Sequence, residues 1–254
     1  MNRWIGPIAA TVVALMLWQG IVWIADTPKF ILPGPLLVAK ALVRDAALIA
    51  DNTIVTLIEI LLGLVLGASL GVATAIHLSL SPTARTFILP VLVFSQAIPV
   101  FALAPVLTLW LGYGLAPKIV MAVLIVYFPV ASAFYDGLSG TSRGLIDLAR
   151  VMGASRGRIM TRVQIPAALP SLATGLRLAA VYAPIGAVIG EWVGASRGLG
   201  YLMLYANGRS KIDLMFAALF VLAIMTVLLR ALIDLVCTRF LSRWTGEAHR
   251  QSGF

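Results

Sequence analysis

Charge is the scarcest thing in this chain. Of its 254 residues only 11% are Asp, Glu, Lys or Arg, while 61% are hydrophobic; a soluble domain carries about 25% charged residues. With a mean hydropathy of +1.00, that shortage excludes an ordinary soluble globule and places the chain in lipid. Cysteine is almost absent. Cys237 stands alone, forms no internal disulfide and reads as a small apolar filler near the end of a span. The two histidines, His77 and His249, are too few and too far apart for metal-ligand spacing, so no metal site is expected. No glycine is followed by lysine, which rules out a P-loop. No catalytic residue and no cofactor of the chain's own is expected, and any use of ATP has to be borrowed from another chain.

What is present is apolar length. A bilayer-crossing helix needs about 20 mostly apolar residues. Six segments supply or nearly supply them: Ile5–Ile24, Ile54–Leu78, Phe87–Trp110, Ile119–Tyr135, Ala168–Ile189 and Leu214–Val236. The expectation is an all-α membrane protein with six transmembrane helices. The first run exceeds the roughly 7–15 residues of a signal h-region and reads as a retained span. After the break at Ile31-Leu32-Pro33-Gly34-Pro35, the residues Leu37, Val38, Ala41, Leu42 and Leu48 recur near helical spacing among charges. That pattern predicts an interfacial amphipathic helix, and a second interfacial piece is expected over Leu199–Ser210. Gly112-Tyr113-Gly114 marks a turn after the third span. Without internal repeats or low-complexity stretches, residues 1–254 read as one membrane domain. It comprises a span plus interfacial helix (1–52), a five-helix core (53–237) and a tail (238–254).

The net charge of +9 comes from 19 Lys and Arg against 10 Asp and Glu. The basic residues sit mostly in short segments between apolar runs, so they read as topology determinants and headgroup contacts rather than as a nucleic-acid surface. Five arginines, Arg143, Arg150, Arg156, Arg158 and Arg162, crowd one short loop. The positive-inside rule puts that loop in the cytoplasm, with both chain termini on the same side.

That loop predicts two short helices with a corner. Thr141 or Ser142 can cap the first. Leu145, Leu148 and Met152 share one face, with Arg143, Asp147 and Arg150 on another. Gly153 suits the left-handed residue that ends a helix, Ser155 can cap the second helix, and Arg156, Arg158 and Arg162 fall on its wet side. Pro166 sits where the chain is expected to turn into the fifth span. The small residues Ala149, Gly153 and Ala154 would let the corner seat in a groove on a partner.

The run Asp147-Leu148-Ala149, then Gly153 after three positions, then Val163-Gln164-Ile165-Pro166 after nine more, resembles the EAA motif of ABC-importer permeases. Leu148 stands where that family usually has alanine. The likeness extends over nearly the whole chain, through Leu32-Pro33-Gly34-Pro35, Gln96-Ala97-Ile98-Pro99, the stretch from Pro105 to Gly114, Pro166-Ala167-Ala168-Leu169-Pro170, the stretch from Gly190 to Ser196, and Gly198-Leu199-Gly200-Tyr201-Leu202. These runs are similar to permeases for nitrate, sulfonates, taurine and thiamine-pyrimidine precursors. The resemblance implies a type I ABC-importer permease fold, with a cytoplasmic coupling hairpin over residues 139–168, in the bacterial cytoplasmic (inner) membrane. It implies a homodimer, two cytoplasmic ATPase subunits using ATP and Mg, and an extracytoplasmic substrate-binding protein. The residues it points to for ATPase coupling are Asp147, Ala149, Arg150, Gly153, Ala154, Ile165 and Pro166. The wording from Ser95 to Pro105, with Ala183-Pro184-Ile185-Gly186-Ala187, looks closest to permeases for hydroxymethylpyrimidine-type thiamine precursors. Sulfonate, taurine or nitrate is the alternative.

Candidates for the translocation path are Glu59, Ser95, Gln96, Pro99, Tyr127, Arg177 and Tyr182. Ionisable groups in apolar spans face protein or water, so Glu59 reads as either a structural or gating ion pair or a lining residue. Arg177 reads as snorkelling inward or closing an inner gate. At about 1.5 Å per residue, the two stand roughly 8 Å apart in depth across a core about 30 Å thick. Lys118 is therefore the alternative partner for Glu59. Glu191, near the outer mouth, reads as fixing the end of its helix. Pro99 and Pro105 are expected to bend the third span. Gln96 can face a polar solute or bond a neighbouring helix, and Tyr127 and Tyr182 can stack on a ring or simply pack. An ion-coupled secondary transporter is the rival class, but two similar halves with discontinuous helices are not evident. Nothing supports a membrane-bound enzyme or insertion factor.

Overall fold

The structure is a computed structural model that describes residues 5–95 and 97–241, and every regular element among them is helical. In chain order these are α1 (Ile5–Ile24), α2 (Pro35–Arg44), α3 (Ala46–Leu80), α4 (Pro82–Ser95), α5 (Val100–Leu111), α6 (Leu115–Ser139), α7 (Arg143–Val151), α8 (Arg156–Ile159), α9 (Ile165–Trp192), α10 (Leu199–Gly208) and α11 (Ile212–Val236). Two compact units divide the chain, Met1–Thr56 with Ser196–Ile224, and Leu57–Ala195 with Met225–Phe254.

In the first unit, α1 has the bounds expected of the first span. The amphipathic helix is shorter than expected. Pro35 occupies the first turn of α2, Val38 and Ala41 are buried, and the helix ends at Asp45, so Leu48 belongs to α3 instead. The α3 helix begins eight residues before the apolar run because its polar residues bond within the helix. Asn52 Nδ2 donates to the Leu48 carbonyl at 2.7 Å and Thr53 Oγ1 to that of Ile49 at 2.7 Å. Asn52 Oδ1 and Thr56 Oγ1 also accept from the backbone N–H groups of Gly198 and Leu199, each at 2.8 Å. Those two N–H groups open α10 and have no partner within it, so α3 supplies the cap that Gly198 lacks. Arg44 bridges Asp45 (2.7 Å) and Asp213 (3.0 Å) at the surface, and Trp18 stacks on Phe216 at 5.9 Å.

The second unit is built on a seam of constant register. A Cβ placed on Gly67 would sit 2.8 Å from Val126, and one on Gly71 would sit 3.0 Å from Val130; Gly63 meets Ala122 and Glu59 pairs with Lys118. Each partner lies 59 positions further along the chain and the steps are of four, so α3 and α6 run parallel with small residues bringing the backbones together. On the other side of α6, a Cβ on Gly186 would meet Ala122 Cα at 2.7 Å, and Gly190 approaches Lys118 while Gly137 approaches Ser171. These pairs share one residue-number sum, the signature of antiparallel α6 and α9. Phe134, Leu138, Leu78, Met160 and Ala168 close the core near the ends where α3 and α6 finish.

By length and composition four helices can cross a membrane: Ala46–Leu80, Leu115–Ser139, Arg156–Trp192 and Ile212–Arg239. The expected third span is not continuous. Pro99, extended at φ −63° and ψ 107°, separates α4 from α5, and the two helices meet at 99°; counted as one bent crossing they are the fifth span. A proline lacks the N–H that would continue the helix and disfavours helical backbone at the residue before it. Pro90 and Pro105 are carried inside α4 and α5, so the bend falls at Pro99 alone. Gly112 and Gly114 take positive φ in the expected turn.

Candidate functional site

The loop between α6 and α9 folds as the two expected helices, and its corner is fully formed. Gly153 adopts φ +77°. Its N–H donates to the Arg150 carbonyl and the Ala154 N–H to the Ala149 carbonyl, both at 2.9 Å. That pair of bonds is the Schellman arrangement, which satisfies the carbonyls at the end of α7 and requires a left-handed residue at Gly153. Ser155 caps α8 by accepting from the Arg158 N–H at 3.4 Å. The expected cap of α7 is absent: Ser142 holds the N-cap position without a side-chain bond, and Thr141 is buried with its hydroxyl unpartnered.

The corner expected at Pro166 is also absent. A π-helical turn over Met160–Gln164 joins α8 to α9 without a break, and the Ile165 N–H reaches back to Met160 O. The wider turn accommodates the missing N–H and the ring of Pro166. Gln164 Nε2 donates to Leu138 O at 3.3 Å, and Ile159 and Met160 are buried. The second arm is thereby pinned to α6. Ala149, Ala154, Ile165 and Pro166 are half-buried along this corner.

The first arm is presented outward. Leu145, Leu148, Val151 and Met152 are all exposed, Val151 at 87%, which leaves α7 with an uncovered apolar face. Asp147 and Arg150 pair with each other at 2.9 Å, so they rim that face as a neutral couple rather than as free charges. Arg85, Arg150 and Arg156 line an adjoining groove of about 270 Å³, and Arg85 lies over the Tyr135 ring at 5.7 Å.

A cavity of about 620 Å³ opens elsewhere in the same unit. Of the candidate path residues, Ser95 and Tyr182 line it, and Pro99 stands next to the lining residue Val100. Glu59, Tyr127 and Arg177 stand outside it. Glu59 is fully buried against Lys118 Nζ at 2.8 Å, within hydrogen-bonding reach of Glu191. Tyr127 donates to Thr74 Oγ1 at 3.2 Å. Arg177 Nε donates to Asp234 Oδ1 at 2.6 Å. Gln96 lies outside the described residues. The sequence reading missed Phe128, Ser132 and Asp136, which line the cavity from α6; their four-residue spacing was the available signal. Asp234 was missed because it sits 57 positions from Arg177.

Several helices long and apolar enough to cross a membrane, with a polar, arginine-bearing hairpin between two of them, mark a multi-pass membrane protein. The chain belongs to the family described as binding-protein-dependent transport system inner membrane component, whose model matches residues 59–246, and it is an ABC-importer permease of the inner membrane. It is 50% identical to a "Probable ABC transporter permease protein" of Haemophilus influenzae, over 94% of this chain and 98% of the relative. It is 34% identical to the "Formylaminopyrimidine transport permease protein ThiX" of Halalkalibacterium halodurans, over 87% and 89%. It is 36% identical to the "Riboflavin transport system permease protein RibX" of Chloroflexus aurantiacus, over 96% and 93%. Among solved structures, a chain of the inward-facing MetNI methionine ABC transporter matches with a TM-score of 0.58 at 23% identity. The match covers 81% of this chain and 96% of that one, a likeness of fold.

Proposed function

We propose that two copies of this permease form the membrane core of a type I importer. Each copy seats a cytoplasmic ATPase, which binds the ATP and Mg, and an extracytoplasmic binding protein delivers solute to the outer face. The observation that carries this reading is the uncovered apolar face of α7, held on a corner that the Schellman bonds and the buried Ile159 and Met160 keep rigid. Asp147, Ala149, Arg150, Gly153, Ala154, Ile165 and Pro166 make up the coupling site, with Leu148 at the centre of the contact. The parallel run of α3 and α6 supports one intervening crossing through α4 and α5. With α1 and α11 that gives six spans and both termini in the cytoplasm, where Arg85 and the hairpin arginines gather. Glu59 with Lys118 fixes helix register, Arg177 with Asp234 ties α9 to α11, and Ser95 and Tyr182 face the solute path.

The cargo proposed is a small, uncharged heterocycle of the hydroxymethylpyrimidine type. Support comes from the relatives named for formylaminopyrimidine and riboflavin; sulfonate, taurine or nitrate is the alternative. The coupling reading is tested by co-purification and ATP hydrolysis. Leu148→Asp should leave the permease in the membrane but abolish capture of the ATPase. Labelling Arg156→Cys, in a Cys237→Ala background, with an impermeant thiol reagent from outside intact cells would overturn the orientation. Ligand calorimetry on the binding protein tests the cargo, and a sulfonate or nitrate ligand would refute it.

A further inference from the structure

The cavity of about 620 Å³ is lined by one acidic side chain and, among the described residues, no basic one. Phe128, Ser132 and Asp136 stand four residues apart on α6 and line it together, opposite Tyr182 of α9 and beside Ser95 of α4. Asp136 is exposed, and no ion pair joins it to another described residue. It stands one turn from the end of α6, on the side where the hairpin leaves. The remaining lining is apolar or hydroxyl-bearing, so little in it screens the carboxylate from a solute passing within a few ångströms.

We infer that Asp136 is the charge filter of this permease, admitting neutral or cationic solutes with a flat ring and an N–H edge and turning anions away. The carboxylate accepts hydrogen bonds from an amino-bearing heterocycle; Ser132 can donate or accept, and Ser95, whose hydroxyl donates to the Leu92 carbonyl at 2.7 Å, can accept. Phe128 and Tyr182 offer ring surfaces for the solute body. An anion meets a like charge in surroundings less polar than bulk water, where repulsion over about 6 Å changes an encounter by at least roughly threefold. The inference rests on the proposed import function only in taking this cavity as the solute path. The field itself is a property of this chain's own residues.

The field can be read without knowing the cargo. In a Cys237→Ala background, Ser132→Cys is placed in the cavity, and the full-length chain is held in permeabilised native membrane vesicles. Modification rates are measured with a cationic and an anionic methanethiosulfonate of similar size, each normalised to a free thiol. A bias toward the cation of at least threefold is expected, collapsing toward one when Asp136→Asn is added. If Ser132→Cys does not insert, Ser95→Cys reports on the same cavity. An unbiased wild-type cavity, or a bias that survives Asp136→Asn, overturns the filter. In the second arm, uptake of labelled 4-amino-5-hydroxymethyl-2-methylpyrimidine and of the anion ethanesulfonate is compared in cells making the whole transporter, and ethanesulfonate entering as well as the pyrimidine overturns the filter. Asp136→Asn should lower pyrimidine uptake about tenfold relative to the amount of transporter in the membrane. Unchanged uptake also overturns the filter. A wild-type transporter that imports neither compound, with the thiol bias intact, refutes the proposed cargo and leaves the filter standing.

Discussion

Removing one partner of the Glu59–Lys118 pair tests the seam on which the second unit is built. Glu59 is fully buried and Lys118 is 6% exposed, with 2.8 Å between Oε1 and Nζ. Lys118→Met therefore leaves Glu59, whose second oxygen has no hydrogen-bond partner among the described residues, facing the buried Glu191 with no lysine beside it. Breaking a buried pair from one side costs about 3–5 kcal/mol, whereas replacing both members by apolar groups of similar size is often neutral or stabilising by about 1–4 kcal/mol. At about 2–4 °C per kcal/mol for a chain of this size, Lys118→Met should lower the detergent-solubilised melting midpoint by about 6–20 °C. The double variant Glu59→Leu/Lys118→Met should recover part of it, since Glu191, also buried there, stays in place while Gly63, Gly67 and Gly71 still set the α3–α6 register. Fluorescence-detected size exclusion after stepwise heating measures both. A single variant as stable as the parent, or a double variant no better than the single, would refute the reasoning.

Gly153 separates backbone from bulk. Its φ is +77° and an added Cβ meets nothing within 4 Å, so Gly153→Asn should keep coupled ATP hydrolysis, while Gly153→Val strains the corner by roughly 1–2 kcal/mol and Gly153→Trp blocks the partner's seat. Both should uncouple hydrolysis from uptake with insertion intact, and normal coupled uptake by Gly153→Trp would remove the hairpin from its role. Gly186→Leu should sharply reduce monodisperse protein, because its Cβ would lie 2.7 Å from Ala122 Cα, backbone that cannot swing aside, and overpacking costs about 1–3 kcal/mol or more; an unchanged yield would contradict the α6–α9 packing. Ser155→Ala should increase protease cleavage at the hairpin through loss of a cap worth about 1 kcal/mol. Ser142→Ala, whose hydroxyl makes no cap bond, should leave cleavage unchanged.

Much of this was legible in the residues because it depends on local chemistry. Gly153 and Ser155 act on backbone groups within five positions of themselves, so spacing was enough to place the corner. The third span was only partly legible: a bend at Pro99 was expected, but an uncharged stretch carries no sign of which proline breaks the helix and which are carried within it. Pro90 and Pro105 are tolerated in helices and Pro99 is not. The run-on of α8 into α9 was missed for the opposite reason: a π-turn accommodates Pro166, and no sequence period announces a π-turn. The cap on α10 was invisible because its donors and acceptors lie 143 and 146 positions apart.

Composition and motif by themselves determined that this chain lives in lipid, carries no P-loop, and holds an EAA-type hairpin, since solvation and backbone conformation are decided residue by residue. Tertiary structure alone decided who meets whom. It set the 59-residue offset that brings Lys118 to Glu59, gave Arg177 its partner Asp234, and opened the α6 stripe with Asp136 into a cavity. Those pairings depend on helices close-packing in one register, and packing is a property of surfaces from distant segments that no local pattern encodes.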